Sequence, residues 1–277
     1  MKKYENLPRF HLPFVRYGII IEKISLGGNV RLGEVLAVLS GKGGTGKTSV
    51  CAGLATALAA EGLRVLCIDC DVGLRNLDIS LGMSDSSALS FWEVFHGGYP
   101  LSAAAKHPLY PTLCFLTAPM NCSIGSIDPE VFRTALLDAR RQFDYIFLDA
   151  PAGVDAGFHL VCACADRFLL VTGAGPAAVR DAARVGDLLE LAGKNQVSLI
   201  VNRVDKSYLS QCSQTVDDVM DTAGLPLTGV VLEDSNVTLA AAFEKPLLQY
   251  APRCGAAKAF RKIARRLQGY PEPISLR

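Results

Sequence analysis

The residues Gly41-Lys42-Gly43-Gly44-Thr45-Gly46-Lys47-Thr48 have the types and spacing to hold a phosphate chain. They satisfy the pattern G-x-x-x-x-G-K-[ST], in which small residues let successive backbone N–H groups close around an anion. Lys47 neutralises the outer phosphates, and the Thr48 hydroxyl is offered to Mg²⁺. Such chemistry needs a rigid mount. The apolar run Val35-Leu36-Ala37-Val38-Leu39 precedes the loop, and Val50, Leu54, Ala57 and Leu58 recur behind it at helical spacing. The loop therefore joins a strand to a helix whose N-terminal dipole faces the anion. A glycine-rich turn without a ligand is the plainer alternative, and the strand-loop-helix setting disfavours it.

Other polar groups stand at the ends of apolar runs. Asp69 and Asp71 follow Arg64-Val-Leu-Cys-Ile, at the strand end where ligands bind in parallel sheets. There Asp71 can orient an attacking water and Asp69 can hold the metal shell, although Asp also makes turns. Asp149 ends Tyr145-Ile-Phe-Leu-Asp149, which suits support of Mg²⁺ opposite Thr48. Gly153, just beyond, offers a backbone N–H able to approach a γ-phosphate closely. Asn202 and Arg203 close Ser198-Leu-Ile-Val-Asn202, and an amide carrying donor and acceptor together can read a base edge or cap a turn.

The elements that must position these groups follow from the alternation of short β-branched runs with longer helical stretches. Runs at 35–39, 64–69, 145–149, 168–172 and 198–202 are apolar throughout, as strands buried on both faces are. The expected fold is α/β: a doubly wound, mostly parallel sheet flanked by helices. No repeat or low-complexity linker divides residues 34–270, so they read as one domain. Residues 1–33 are an N-terminal extension without a sustained period, either a short strand at Tyr17–Glu22 or a leader, and residues 271–277 are a short tail.

Composition bounds the function. Across 277 residues, 28 Lys and Arg against 27 Asp and Glu give a net charge of +1, which argues against a whole surface built for nucleic acid. Nine cysteines are scattered, mostly in apolar runs, as free thiols are in a reducing compartment. Cys67-x-x-Cys70 is the one metal-like spacing, and with no second pair it reads as two structural thiols. No apolar run reaches the roughly 18 residues that span a bilayer. The start lacks the continuous apolar core of a secretory signal. A cytoplasmic protein is expected, with peripheral contact at the inner face of the cell membrane left open.

The form K-G-G-T-G-K-T, with its additional Lys42, resembles the deviant Walker A loop of the MinD/ParA family of dimerising ATPases. Asp69 to Asp78, D-x-D-x-G-L-R-N-L-D, resembles switch I of the MinD branch, and Asp149-Ala-Pro-Ala-Gly153 resembles switch II. Asn202-Arg203 is similar to the family's adenine-contacting pair. The resemblance covers residues 34 to 268. It implies a P-loop NTPase fold, bound ATP and Mg²⁺, hydrolysis of ATP to ADP and phosphate, and a switch that places the division septum. It also implies an ATP-dependent homodimer in which Lys42 contacts the partner's phosphates, together with cell-division partner proteins. On this reading the catalytic set is Lys42, Lys47, Asp71 and Asp149. Nucleotide contacts come from Gly41, Lys42, Gly43, Gly44, Thr45, Gly46, Lys47, Thr48, Gly153, Asn202 and Arg203, and metal contacts from Thr48, Asp69 and Asp149.

The chain also departs from the family. Gly173-Ala174-Gly175-Pro176 replaces a Pro-Glu pair, and Leu232 replaces the proline of the base-binding loop Val230-Val231-Leu232-Glu233-Asp234. MinD proteins continue from their last domain helix into a membrane-binding amphipathic helix. Here the expected helix Ala256–Gln268 is followed by a segment with Pro271 and Pro273, so weak membrane contact is expected. Its Lys258, Arg261, Lys262, Arg265 and Arg266 read as a solvated face, with anionic lipid or DNA as alternative ligands. Rival functions are a positioning ATPase for flagella or DNA and an Fe–S carrier of the nitrogenase iron protein type, using Cys122 and Cys162. A nucleotide-free scaffold has no need for Lys42, Lys47, Thr48, Asp71 and Asp149 together.

Overall fold

Apolar runs become the strands of one sheet: β1 (Glu34–Leu39), β2 (Val65–Asp69), β3 (Ala105–Lys106), β4 (Leu113–Leu116), β5 (Tyr145–Asp149), β6 (Arg167–Thr172), β7 (Val197–Val204) and β8 (Leu227–Leu232). The computed structural model describes residues 32–120 and 124–274. Expectations for the segment before Leu32, for Cys122 and for residues 275–277 lie outside them. Sheet order is β3-β4-β2-β5-β1-β6-β7-β8. Only the β3–β4 pair is antiparallel, so the loops leaving β1, β2, β5 and β7 emerge along one edge, where open α/β sheets hold ligands.

The helices are α1 (Lys47–Ala60), α2 (Leu77–Leu81), α3 (Phe91–Phe95), α4 (Pro129–Gln142), α5 (Ala156–Cys164), α6 (Pro176–Leu191), α7 (Lys206–Gln211), α8 (Val216–Ala223), α9 (Ser235–Ala242), α10 (Leu247–Tyr250) and α11 (Gly255–Leu267). Side chains alternate across the sheet. Val35, Ala37 and Leu39 face the layer of α4, α5, α6 and α8, whereas Leu36 and Val38 face α1, α10 and α11. Each fully buried Val, Leu or Phe contributes about 1.5–3 kcal/mol, and both layers are dense with them. The two cysteines of the C-x-x-C spacing divide the same way: Cys67 packs with α1, and Cys70 lies in the opposite layer.

Local chemistry sets the helix ends. Asp128 caps α4 by accepting the Glu130 N–H, Pro129 opens it, and Arg140 and Arg141 lie in its last turn, each favourable to the helix dipole or its unpaired N–H groups. Helix α1 differs: its N-cap is Gly46, which offers no side-chain cap, leaving its first N–H groups without intrahelical partners. It is buried on nearly every side, more than the single stripe at Val50, Leu54, Ala57 and Leu58 suggests. At Gly53 the ring of Phe260 from α11 occupies the space a Cβ would need.

Two readings change. Val230-Val231-Leu232, expected in a loop, belongs to β8, and the loop begins at Glu233. Thr228 and Gly229 hide that strand in the sequence, and Gly229 is required where Ile263 crosses it. Helix α11 buries Phe260, Ile263 and Leu267 as expected, but its basic side chains are not all solvated. Arg265 Nε pairs with Glu272 Oε1 at 2.9 Å, and its guanidinium lies 5.2 Å from the Tyr270 ring. Arg266 donates to the carbonyls of Thr228, Glu272 and Pro273 at 2.9, 2.8 and 2.6 Å.

Candidate nucleotide site

Strand β1 delivers the chain to Ser40, whose hydroxyl donates to the Lys42 carbonyl at 3.0 Å and bends the loop at its entry. The end of β7 braces the loop from behind. Asn202 Nδ2 donates to the Thr45 carbonyl at 2.9 Å, and Arg203 Nη1 donates to the Gly44 carbonyl at 3.2 Å. Gly46 has φ 82°, and its missing Cβ leaves room for the Asn202 amide, so only glycine suits both demands. Arg203 is itself held by Glu233 at 2.9 Å.

Below the loop, Asp149 joins its two chemical residues. It accepts from Lys47 Nζ at 2.9 Å on one oxygen and from Thr48 Oγ1 at 2.7 Å on the other. The Lys47 and Asp149 side chains are 8% and 2% exposed, so this pair is almost dry. Burial alone would lower the lysine pKa; the charge and hydrogen bond of Asp149 outweigh it, and the ammonium ends above its usual value.

Asp69 stands opposite Asp149 across the β2–β5 register. Burial and then the facing carboxylate push its pKa up to about 7. Both Asp69 oxygens accept backbone N–H groups, from Asp71 at 2.9 Å and Leu77 at 3.2 Å. Asp69 thus shapes the turn that carries Asp71. Asp71 is half-buried, with one oxygen accepting from Gly73 and Leu74 at 3.2 Å each.

Gly153 has φ 92°, and its N–H donates to the Ser40 carbonyl at 3.2 Å. That donor is therefore engaged within the protein and must leave Ser40 before it can meet a phosphate. Lys42 is exposed at the loop tip. A cleft of about 150 Å³ opens beside Gly46, between Asn202, Arg203, Leu232 and Val237.

The donor set fits a polyphosphate. Thr45 Oγ1 is buried without a partner, a costly state in a protein interior unless a ligand completes it. Open space stands where Gly43, Gly44 and Gly153 would carry a Cβ. For a divalent cation the oxygens at hand are Thr48 Oγ1 and the Asp149 carboxylate. Among the described residues no group of three or more His, Cys, Asp or Glu could hold a metal alone.

The structure thus brings buried Lys47, Asp69 and Asp149 together with half-buried Thr48, with Asp71 and Gly153 on flanking loops and Asn202 and Arg203 behind. Ser40 was missed. Its only signal is a small polar residue between a strand end and the first loop glycine. Cys162 lies in the core layer of α5, where burial pushes its thiol to about 12.

A strand, a glycine loop, an uncapped helix and a buried carboxylate on the adjacent strand define a P-loop nucleotide-binding protein. Sequence comparison agrees: residues 36–247 match the CobQ/CobB/MinD/ParA nucleotide binding domain, and the chain belongs to that MinD/ParA family. It is 36% identical over 246 residues to a septum site-determining protein MinD from Synechocystis, spanning 88% of this chain and 92% of the relative. Among solved structures it is similar to a chain of the MinC:MinD cell division protein complex of Aquifex aeolicus, with a TM-score of 0.81 and 32% identity over 88% of this chain and 98% of that one. It is similar also to MinD complexed with Mg-ADP from Pyrococcus horikoshii, with a TM-score of 0.75 and 27% identity over 85% and 96%.

Proposed function

We propose that the protein is an ATP-hydrolysing switch of the MinD kind, which forms a homodimer across bound ATP and takes part in placing the division septum. The observation that carries this reading is the buried Lys47–Asp149–Thr48 chain beneath an open glycine loop, with the second lysine, Lys42, exposed at its tip. Lys47 binds the outer phosphates of its own subunit. That leaves Lys42 to neutralise phosphate charge across a two-fold interface. Thr48 and Asp149 would hold Mg²⁺, with Asp69 supporting the shell from behind. When bound, Mg²⁺ neutralises charge on the β- and γ-phosphates. Asp71 orients the attacking water, Gly153 donates to the γ-phosphate, and Asn202 and Arg203 line the cleft that takes the base.

Among the described residues no helix is long and apolar enough to cross a membrane. Attachment to a bilayer surface through the basic residues is weak and salt-sensitive. The Aquifex relative is complexed with MinC, and a protein of that kind is the proposed partner. The test is light scattering with MgATP. Asp71→Ala should bind ATP, hydrolyse it slowly and stay dimeric; adding Lys42→Ala should leave monomer. An ATP dimer that survives Lys42→Ala refutes the contact across the interface, and parental turnover in Asp71→Ala refutes the water-orienting role.

A further inference from the structure

Away from the nucleotide loop, the β8 edge of the sheet carries a groove that is basic and apolar on its α11 side and includes Asp217 at its far end. Strand β8 is the last in the order, and α11 packs against it. Two cavities of about 340 and 420 Å³ adjoin there and share Val230 and Ile274. The first has an apolar wall of Val230, Leu232 and Ile274 and a rim of Lys258, Lys262 and Arg266, with no carboxylate in its lining. Among the described residues Arg265–Glu272 is the one ion pair of α11, so Lys258 and Lys262 have no acidic partner.

The segment after α11 shows what such a surface accepts. Glu272 gives its carboxylate to Arg265, and its carbonyl with that of Pro273 to Arg266. Two residues on, Ile274 borders both cavities yet remains 43% exposed. An acidic residue held on α11 beside the groove is thus followed at i+2 by an apolar one that borders it. Among the described residues nothing fills the volume on either side of Ile274 or pairs with the two lysines, and both suit more chain of the same kind. An extended segment suits an edge strand, because alternate side chains then face the same wall.

We propose that this groove docks an extended segment of a partner protein in which an acidic residue is followed two positions on by an apolar one, in competition with Tyr270–Ile274. The probe is a fluorescein-labelled peptide of ten residues in which glutamate and isoleucine take turns at every second position with serine between them, read by anisotropy against the full chain. Binding should weaken with added salt, as rim charges do. Lys258→Glu with Lys262→Glu should cost at least about tenfold in affinity, while MgATP binding, measured in parallel, stays unchanged and reports an intact fold. Glu272→Ala with Ile274→Ala should tighten the peptide severalfold by removing the competitor. A peptide that does not bind, binds equally to the Lys258/Lys262 variant, or binds no better than a lysine-isoleucine control overturns the proposal. So does lysine-dependent binding of phosphatidylglycerol vesicles without binding of the peptide, which would assign the groove to lipid.

Discussion

Replacing Lys47 by Met should destabilise the nucleotide-free protein as well as weaken ATP binding, and the size of the effect follows from burial. Asp149 is 2% exposed and loses its ion-pair partner, while Asp69 stands opposite it with a pKa already near 7. Stranding a buried charge costs about 3–5 kcal/mol. Proton uptake by Asp69 limits the loss, so about 3 kcal/mol is expected near neutral pH, or roughly 6–12 °C in Tm for a domain of this size. The loss should grow with pH. A carboxyl whose folded pKa is raised contributes its stability below the unfolded value and loses it as pH climbs through the folded one. Lys47→Met with Asp149→Asn should lose much less than the sum of the single changes, since neither charge is then left alone, giving a coupling of about 2 kcal/mol. Urea unfolding without nucleotide or metal, followed through the single tryptophan, Trp92, measures all corners of the cycle. Additivity within about 0.5 kcal/mol would show that Lys47 and Asp149 do not touch in the free protein.

Two further outcomes test the frame around the site. Gly53→Ala places a methyl group against the Phe260 ring and should destabilise by about 1–3 kcal/mol, although alanine in a helix is favoured over glycine by up to about 1 kcal/mol; a raised Tm would refute the close packing of α1 on α11. His107 is buried, with Nε2 2.8 Å from the Leu81 carbonyl and Nδ1 receiving the N–H groups of Leu109 and Tyr110, so the neutral ring carries its proton on Nε2. Burial lowers its pKa, so its contribution is complete above the unfolded value of about 6.5 and is lost as pH falls towards the folded one. Urea midpoints at pH 7.5 and 5.5 should converge in His107→Gln relative to the parent, and an unchanged difference would remove His107 as the source.

The parts that sequence made legible were those with local signatures. The phosphate loop is a contiguous pattern, and strands such as Tyr145–Asp149 are apolar without interruption, so loop, fold class and the Asp149 position could all be read directly. Strand β4 has only four residues and β8 contains Thr228 and Gly229, and both owe their pairing to neighbours distant in the chain. Asn202 and Arg203 were legible as polar residues at a strand end. Their grip on the Thr45 and Gly44 carbonyls was not, because backbone acceptors carry no side-chain signature. The same reason hid the Arg266 contacts: a basic helix face looks solvated until the carbonyls it reaches are known.

The bond from Gly153 to Ser40, with the pairing of Lys47 and Thr48 on Asp149, means that much of the binding machinery is self-satisfied before any ligand arrives. At these groups an entering nucleotide exchanges partners, whereas at the Thr45 hydroxyl and the first N–H groups of α1 it supplies new ones. Its affinity is then the difference between two sets of polar contacts. On the proposed contact of Gly153 with the γ-phosphate, fragments lacking that group would leave Gly153 on Ser40 and the loop after β5 with β1. A ligand that supplies a stronger acceptor than a carbonyl moves the loop. At Gly153 one acceptor replaces another, so the two arrangements of that loop can lie close in free energy.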